Sequence, residues 1–340
     1  MSSALGGVMV IDMYCHILPV KVVASYLKKR LPFLISFIQP LVSGDDLRFV
    51  DPEYRIRYMD RFGIDMEVLT LPYNSLWETL GEDEAMEIAK TVNDALASIS
   101  QKYPSRFAAA ATLPYLTGAS LDELDRCVSD LGLKGVLIFS NMNGRPLNSS
   151  EFEPFYRRMA KYDLPIWIHP AHWPYYPWFG YKYDLTHVFG YPFETAVAAA
   201  TIVYAGILER YQSLKFILHH LGGIIPAVAG RIKEFYEMAA HSPHIFAQQY
   251  SGLKLSREPL QYFKAMYVDT VVCGMAHLLE WGYQFYGPEH LLFGTDYPFG
   301  PEGGEKWTRE NLHMIRALPI TPEEKHRILE ENAKQILRIT

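Results

Sequence analysis

Short apolar runs alternate along the chain with longer stretches in which apolar residues recur at helical spacing. Runs such as VLIFS and KFILH are apolar on successive residues, which is typical of strands covered on both faces. We predict eight strands, at residues 8–12, 66–71, 108–113, 135–140, 165–169, 215–219, 265–269 and 291–295. Helices are predicted at residues 52–62, 83–102, 120–131, 152–161, 193–210, 225–239, 276–286, 306–317 and 322–337.

Eight strand–helix units with no obvious linker favour an α/β fold, a (β/α)8 TIM barrel, over a doubly wound sheet. We expect one barrel domain over residues 1–340. Two insertions interrupt the repeat: residues 21–49 after the first strand, and an aromatic segment at residues 172–193 after the fifth strand. We expect the second insertion to form a lid.

The charge and the cysteines limit the classes of partner. The net charge is −6 without a basic cluster, which argues against nucleic acid and anionic membranes and favours a small-molecule substrate. The longest apolar run, at residues 196–208, is too short to span a membrane. Cys15, Cys127 and Cys273 are odd in number and lack CxxC spacing, so we expect reduced thiols and a cytoplasmic location.

Polar side chains follow four of the predicted strands. His16 comes after the first strand, His169 ends the fifth, the pair His219 and His220 follows the sixth, and Asp296 follows the eighth. The carboxyl ends of barrel strands meet at one rim, where active sites lie. A lone histidine there is best explained as a cap of backbone groups, but imidazoles grouped with a carboxylate are the ligands that divalent transition metals prefer. The set therefore predicts a metal site.

Five motifs resemble the decarboxylase branch of the amidohydrolase superfamily, typified by aminocarboxymuconate-semialdehyde decarboxylase and gamma-resorcylate decarboxylase. They are IDMYCHILP, IWIHP, FILHHLGGIIPAVAGRI, YVDT and LLFGTDYPFG, and together they extend over nearly the whole chain. The resemblance implies a metal-dependent, non-oxidative decarboxylase that acts on an aromatic or unsaturated carboxylic acid.

The resemblance also implies roles for single residues. His16 and His169 correspond to metal ligands, and Asp296 to a ligand or a catalytic group beside the metal. His220 corresponds to the imidazole that works as acid and base. Because neighbouring strand residues point to opposite sides, His219 is then expected to face away from the barrel mouth.

Substrate contacts are expected from two arginines and the aromatic insertion. Arg231 corresponds to an arginine that in relatives reaches a neighbouring subunit's site and binds a substrate carboxylate, and Arg48 resembles a second such residue. Trp173 opens the aromatic segment, which suits a flat ligand but would equally suit a subunit interface. We expect a homodimer.

Tyr14 departs from the family pattern, because relatives carry a histidine or glutamate ligand at this position. Three interpretations compete: Tyr14 binds the metal as a phenolate, it leaves the metal to His16, His169 and Asp296 and offers its hydroxyl to the substrate, or the metal is lost. We favour the second, because three protein ligands with open positions are usual for a catalytic metal. Cys15 is expected to point toward the barrel wall.

Two alternatives to decarboxylation remain at this stage. The same ligands would activate water toward lactones, amides or keto acids in a hydrolase or hydratase, and a barrel altered at Tyr14 would be metal-free. For the cofactor, two imidazoles and a carboxylate favour Zn²⁺, with Mn²⁺ as the alternative. Asp269 is interpreted either as a partner that orients a ligand imidazole or as an ordinary carboxylate at a strand end, and Asp12 has the same two interpretations.

Overall fold

The computed structural model of the chain describes residues 7–18, 46–72, 77, 80–171, 182–241 and 255–340. Eight parallel strands follow one another along it. We number them β1 (Ile11–His16), β2 (Met66–Thr70), β3 (Phe107–Ala109 and Ala111–Thr112), β4 (Val136–Phe139), β5 (Pro165–His169), β6 (Lys215–Leu218), β7 (Tyr267–Asp269) and β8 (Leu291–Leu292).

Each strand pairs in parallel with its neighbour in sequence, in the order β1-β2-β3 and then β3-β4-β5-β6-β7-β8. The two parts are continuous through β3, where the Ala110 N–H donates to the carbonyl of Leu69 at 3.1 Å and the next residue, Ala111, donates to Gly135 at 2.9 Å. This change of partner carries the hydrogen-bonded ladder from β2 to β4.

The ring of strands closes between β8 and β1. The N–H of Met13 donates to the carbonyl of Phe293 at 2.8 Å, and the N–H of His16 donates to the carbonyl of Tyr297 at 2.8 Å. Closure of eight parallel strands produces a barrel whose interior is filled by side chains. Trp167 of β5 is one of them: it is fully buried, and its indole N–H donates to the carbonyl of Met13 at 2.8 Å.

Helices cover the outside of the barrel. They lie at Leu47–Val50, Pro52–Phe62, Glu82–Lys102, Ala119–Ser129, Glu153–Tyr162, Tyr191–Tyr204, Ile207–Arg210, Ile225–His241, Pro259–Lys264, Ala276–Tyr286, Glu305–Ala317, Pro322–His326 and Asn332–Leu337. The helix Pro52–Phe62 has local signals at both ends. The Asp51 side chain caps its first turn, and Gly63, at φ +70°, ends it in the left-handed conformation that glycine adopts without strain.

The α/β barrel and its order of elements are confirmed, and several bounds differ from those predicted. β1 extends to His16, beyond the predicted end at residue 12. The helix predicted at 193–210 is divided at Gly206, at φ +67°, and the last helix contains a π-helical turn at Arg327–Glu331. Most of the first insertion and residues 172–181 of the predicted lid, with Trp173, lie outside the described residues. Among the described helices, none has the length and apolar character needed to cross a membrane.

Candidate active site

Side chains from the carboxyl ends of β1, β5, β6 and β8 converge around the ring of Tyr14. The ring of His219 stacks on it with centroids 3.6 Å apart, and the ring of His16 meets its edge at 4.6 Å. The His169 ring lies 5.4 Å from that of His16 and 5.6 Å from that of His219. Asp296 places Oδ1 3.0 Å from Nε2 of His16. All five side chains are buried.

Asp12 fixes the two strand ends that carry part of this cluster. Its carboxylate accepts hydrogen bonds from the Tyr14 N–H at 3.0 Å and from the Thr295 hydroxyl at 2.5 Å. The N–H of Asp296 in turn donates to the Tyr14 carbonyl at 2.8 Å, and Asp296 itself adopts φ +62°. Of the two interpretations of Asp12, the structure supports the structural one: it joins β1 to the loop after β8.

Hydrogen bonding fixes the tautomer of His16. The Thr70 hydroxyl donates its single proton to the carbonyl of Cys15 at 2.9 Å, so it accepts from Nδ1 of His16, which lies 2.7 Å away. The proton of the neutral imidazole is therefore on Nδ1. The bare Nε2 points toward Asp296.

The other two imidazoles of the cluster have the same arrangement. Nδ1 of His169 lies 2.7 Å from the carbonyl of Pro170, which only accepts, and Nδ1 of His219 lies 3.1 Å from Oδ2 of Asp269. Each ring thus carries its proton on Nδ1 and leaves Nε2 bare. An oxygen acceptor on the far nitrogen is the usual support of a metal-ligating histidine.

Burial sets the charge state of these groups. It lowers the pKa of His16 to about 3, assisted by the positive charge of Arg55. It also lowers the pKa of His169 and of His219 well below the ordinary value, so these imidazoles are neutral at pH 7. Burial raises the pKa of Asp296 to about 7.

The phenol of Tyr14 is neutral in this surrounding. Burial, followed by the negative charges of Asp296 and Asp269, raises its pKa well above the ordinary value. Its hydroxyl oxygen is buried and has no hydrogen-bond partner among the described residues. The hydroxyl is therefore available to a ligand.

The donor types of this cluster suit a divalent transition metal, although among the described residues no three of these side chains have ligand atoms that all lie within 4.8 Å of one another. Neutral imidazole nitrogens and a carboxylate oxygen are the ligands that such ions take. The bare Nε2 of His16 and Oδ1 of Asp296 are both acceptors at 3.0 Å, an arrangement that requires a proton or a cation near both atoms. Nε2 of His219 is buried and has no hydrogen-bond partner in the described part of the chain.

Both histidines of the pair after β6 approach Tyr14, so the prediction that His219 faces away is wrong. β6 ends at Leu218, and His220 adopts φ +53°, which turns the chain and removes the strand alternation on which the prediction relied. The His220 ring lies 5.6 Å from that of Tyr14 and 6.5 Å from that of His219. His220 is only partly buried, so it lies at the rim of the cluster.

Comparisons with known proteins identify the family of the chain. The family model described as Amidohydrolase matches residues 11–339. This chain belongs to the amidohydrolase family. A 2-amino-3-carboxymuconate-6-semialdehyde decarboxylase from Dictyostelium discoideum is 30% identical over 84% of the chain and 76% of that relative. A gamma-resorcylate decarboxylase from Rhizobium sp. (strain MTP-10005) is 27% identical over 84% of the chain and 86% of that relative.

The fold of this amidohydrolase is also that of a solved structure. The 5-carboxyvanillate decarboxylase from Novosphingobium aromaticivorans, complexed with manganese and 4-hydroxy-3-methoxy-5-nitrobenzoic acid, superimposes with a TM-score of 0.84 at 23% sequence identity. The alignment covers 100% of this chain and 98% of that protein. The predicted family and barrel fold are thereby confirmed.

The two arginines predicted to bind substrate have side-chain partners other than the imidazole cluster of the amidohydrolase. Asp46 binds the guanidinium of Arg48, with Nε 2.7 Å from Oδ1. The ring centroid of the next residue, Phe49, lies 5.4 Å from that of Phe299, in the loop after β8. Arg231 is exposed on the helix Ile225–His241, and its guanidinium lies over the ring of Phe235 at 5.0 Å.

The sequence did not lead us to predict a buried ion pair that contacts the backbone of His16. The guanidinium of Arg55 is fully buried; it donates to the carbonyl of His16 at 2.7 Å and to Oε2 of Glu67 at 2.8 and 3.0 Å. Glu67 stands in an apolar strand, MEVLT, and a charge inside such a run is the one signal that could have indicated a buried partner.

Within the described residues, one group of possible metal ligands has donor atoms close enough to share an ion, and it includes Glu67 of this pair. Oxygen and sulfur atoms of Asp12, Cys15 and Glu67 are all within 4.8 Å of one another. Arg55 already supplies a positive charge to them, and burial raises the pKa of the Cys15 thiol well above its ordinary value. Cys15 donates to the Val68 carbonyl at 3.4 Å, toward the barrel wall. We interpret the group as structural.

Proposed function

We propose that this amidohydrolase is a metal-dependent, non-oxidative decarboxylase of an aromatic or unsaturated carboxylic acid, a carboxy-lyase. The observation that carries the proposal is the grouping of three imidazoles and one carboxylate around Tyr14 at the barrel mouth. The hydroxyl of Tyr14 has no hydrogen-bond partner among the described residues. The names of the relatives, which are decarboxylases of hydroxybenzoate and muconate type, support this choice of chemistry.

His16, His169 and Asp296 would hold the metal. Zn²⁺ suits their nitrogen-rich donor set, and Mn²⁺, which is bound in the similar 5-carboxyvanillate decarboxylase, is the alternative. When bound, the metal would supply Lewis acidity that fixes a substrate carboxylate with its neighbouring hydroxyl and accepts the charge developing on oxygen. No organic cofactor is proposed.

His220 would deliver the proton. Decarboxylation breaks the bond between carbon and carboxylate, releases CO2 and leaves the electron pair on the carbon, which must then be protonated. His220 lies at the rim of the cluster, where an imidazole can exchange protons with solvent and reach a substrate above Tyr14. Asp296, which lies 3.0 Å from Nε2 of His16, is the second group proposed to handle this proton if it sits beside the metal rather than on it.

The hydroxyl of Tyr14 would donate a hydrogen bond to an oxygen of the substrate. The group is buried, neutral and without a partner among the described residues, so a substrate oxygen would satisfy it. Arg48, Arg231 and Trp173 remain proposed substrate contacts. Arg48 would have to exchange Asp46 for a substrate carboxylate, and Arg231 would act from its exposed helix toward a neighbouring subunit.

A homodimer is proposed from an exposed apolar surface. Phe189, Phe193 and Val197 are exposed on or just before the helix Tyr191–Tyr204, and Phe235 and Met238 are exposed on the helix Ile225–His241. Apolar patches of this kind on a folded chain mark interfaces. The exposed position of Arg231 on the second helix supports a second copy of the chain as the partner. One domain over 1–340 and a cytoplasmic location also stay proposals.

Two measurements test the proposed function. Protein expressed with added zinc or manganese is expected to hold the metal stoichiometrically by elemental analysis, and to release CO2 from one or more members of a hydroxybenzoate panel. Chelation should abolish the release and metal addition should restore it. Protein without metal would instead support the metal-free barrel, and turnover of lactones or hydration of keto acids without CO2 would support the hydrolase or hydratase.

A further inference from the structure

We propose that Ser140 and Glu194 are positioning residues that keep the proton of the His169 imidazole on Nδ1 and so leave Nε2 free to accept. The inference deepens the proposed function and rests on it, because that function uses an unprotonated Nε2 of His169. It also goes beyond it, since the motifs that resemble the family contain neither Ser140 nor Glu194.

The first step concerns the turn after β5. Pro170 follows His169 and has no N–H, so the N–H of Ala171 is the first backbone donor beyond the strand. The carbonyl of Pro170 and this N–H belong to one planar peptide unit, in which they point in opposite directions. Nδ1 of His169 lies 2.7 Å from that carbonyl. The direction of the Ala171 N–H therefore decides whether Nδ1 has its acceptor.

Ser140, which directly follows β4, holds this turn at two points. Its N–H donates to the carbonyl of His169 at 2.8 Å, and its Oγ accepts from the N–H of Ala171 at 2.9 Å. Ser140 and Ala171 are both buried, so these contacts are shielded from water. Because one residue makes both contacts, the peptide unit after Pro170 is fixed with its carbonyl toward the imidazole.

Glu194 fixes the hydroxyl of Ser140. A serine hydroxyl has one proton, and Oε2 of Glu194 accepts it at 2.5 Å, so the lone pairs of Oγ are left for Ala171. Asn141 holds the same carboxylate oxygen, because its side-chain amide donates to Oε2 at 3.2 Å. The Oδ1 atom of Asn141 accepts a backbone N–H at 3.0 Å, which sets the orientation of that amide. The acceptor of the Ser140 proton is thus itself fixed.

These contacts join a helix to an imidazole of the site. Glu194 is buried in the first turn of the helix Tyr191–Tyr204, which follows the aromatic insertion. Three hydrogen bonds in series lead from its carboxylate through Ser140 and the peptide unit after Pro170 to Nδ1 of His169. A buried carboxylate is costly compared with an apolar side chain, so packing alone does not account for Glu194.

The test measures the imidazole itself, in the unaltered chain without metal. In NMR spectra of protein with isotopically labelled histidine nitrogens, couplings between the ring nitrogens and the ring protons show which nitrogen carries the proton. The variant His169→Gln identifies the signals of this residue by their loss. We expect the proton on Nδ1. A proton on Nε2 of His169 in the unaltered chain would overturn the inference.

The variant Ser140→Ala removes the hydroxyl that orients the turn. We expect the ratio of the Nδ1-protonated to the Nε2-protonated form of His169 to fall at least about 5-fold, the factor that one hydrogen bond contributes. Ser140→Thr keeps a hydroxyl and should keep the ratio. The matched control is Ser120→Ala, at a buried serine whose hydroxyl contacts Met86, because it removes a buried hydroxyl far from the turn in sequence. Thermal midpoints of both alanine variants report the loss of stability separately from the tautomer.

Glu194 provides an independent variant, which keeps the inference testable if Ser140→Ala does not fold. Glu194→Leu removes the acceptor and should shift the tautomer of His169 in the same direction, whereas Glu194→Gln keeps an oxygen for Ser140 and should not. Unchanged tautomers in Ser140→Ala and Glu194→Leu would overturn the inference and leave the proposed function standing. If the chain binds no metal, the proposed function fails, while these spectra, recorded without metal, still decide the inference.

Discussion

Tyr14 is the residue around which the site is organised. Its ring contacts four imidazoles, those of His16, His169, His219 and His220, at centroid distances between 3.6 and 6.2 Å. Burial keeps the phenol neutral, so the residue adds no charge to a cavity that already contains Asp296. In the proposed function, Tyr14 is a hydrogen-bond donor to the substrate rather than a metal ligand.

The variant His220→Ala tests whether His220 works as the acid and base of the reaction. We expect turnover of the identified substrate to fall by about 100-fold or more, because a positioned proton donor contributes factors of that order. Metal content should stay stoichiometric, since no metal-binding role is proposed for His220. His313→Ala, on the outer helix Glu305–Ala317, serves as the control. Loss of metal in His220→Ala would reassign the residue as a ligand.

The elements hold the site through polar contacts that cross from one to the next. The helix Pro52–Phe62 supplies Arg55, which joins the last residue of β1 to Glu67 of β2. Burial raises the pKa of Glu67, and the positive charge of Arg55 opposes that shift. The backbone carbonyl of His16 is therefore held by a hydrogen bond from a buried guanidinium as well as by apolar packing.

Arg55→Met tests this support. Removing one partner leaves Glu67 buried without its counter-charge, so we expect the free energy of unfolding to fall by about 3–5 kcal/mol in urea titrations. The double variant Arg55→Met/Glu67→Gln should recover part of the loss, because it removes the orphaned charge. Arg309→Met, which breaks an exposed ion pair with Glu302, should leave the unfolding midpoint unchanged. Equal losses in the single and double Arg55 variants would contradict the explanation.

The elements also show how far sequence reasoning reaches. Apolar runs identified all eight strands, because strands covered on both faces lack polar residues. The same rule ended β1 too early at Asp12, since Asp12 and His16 are buried polar residues of the strand whose partners, Thr295 and Thr70, lie elsewhere in the chain. Pairs such as Arg55 with Glu67 leave no periodic signal, so only the coordinates reveal them.

At the site, the sequence identified the cluster but not the orientation of each member. His16, His169 and Asp296 were predicted from strand ends, and the structure brings them together. The orientation of His219 depended on where β6 ends and on the left-handed backbone of His220. A His-His pair followed by Leu-Gly-Gly permits such a turn, but it does not tell which residue adopts it.

At the scale of the whole molecule, the apolar surface and the site are connected through one helix. Ile225–His241 starts just after the turn that carries His219 and His220, and it exposes Arg231, Phe235 and Met238. A second copy packed on this surface would cover the apolar side chains and bring Arg231 close to a neighbouring barrel. Oligomerisation and substrate binding are therefore expected to depend on each other.

Val197→Glu tests that dependence, because it places a charge in the apolar surface that the proposed dimer buries. Light scattering after gel filtration should give a dimer for the unaltered chain and a monomer of 39.0 kDa for the variant, with metal still bound. Mixing inactive Arg231→Ala and His220→Ala chains should restore turnover, because each mixed dimer has one site with both residues intact. A monomeric unaltered chain with full activity would contradict the dimer, and mixtures that stay inactive would place Arg231 outside the neighbouring site.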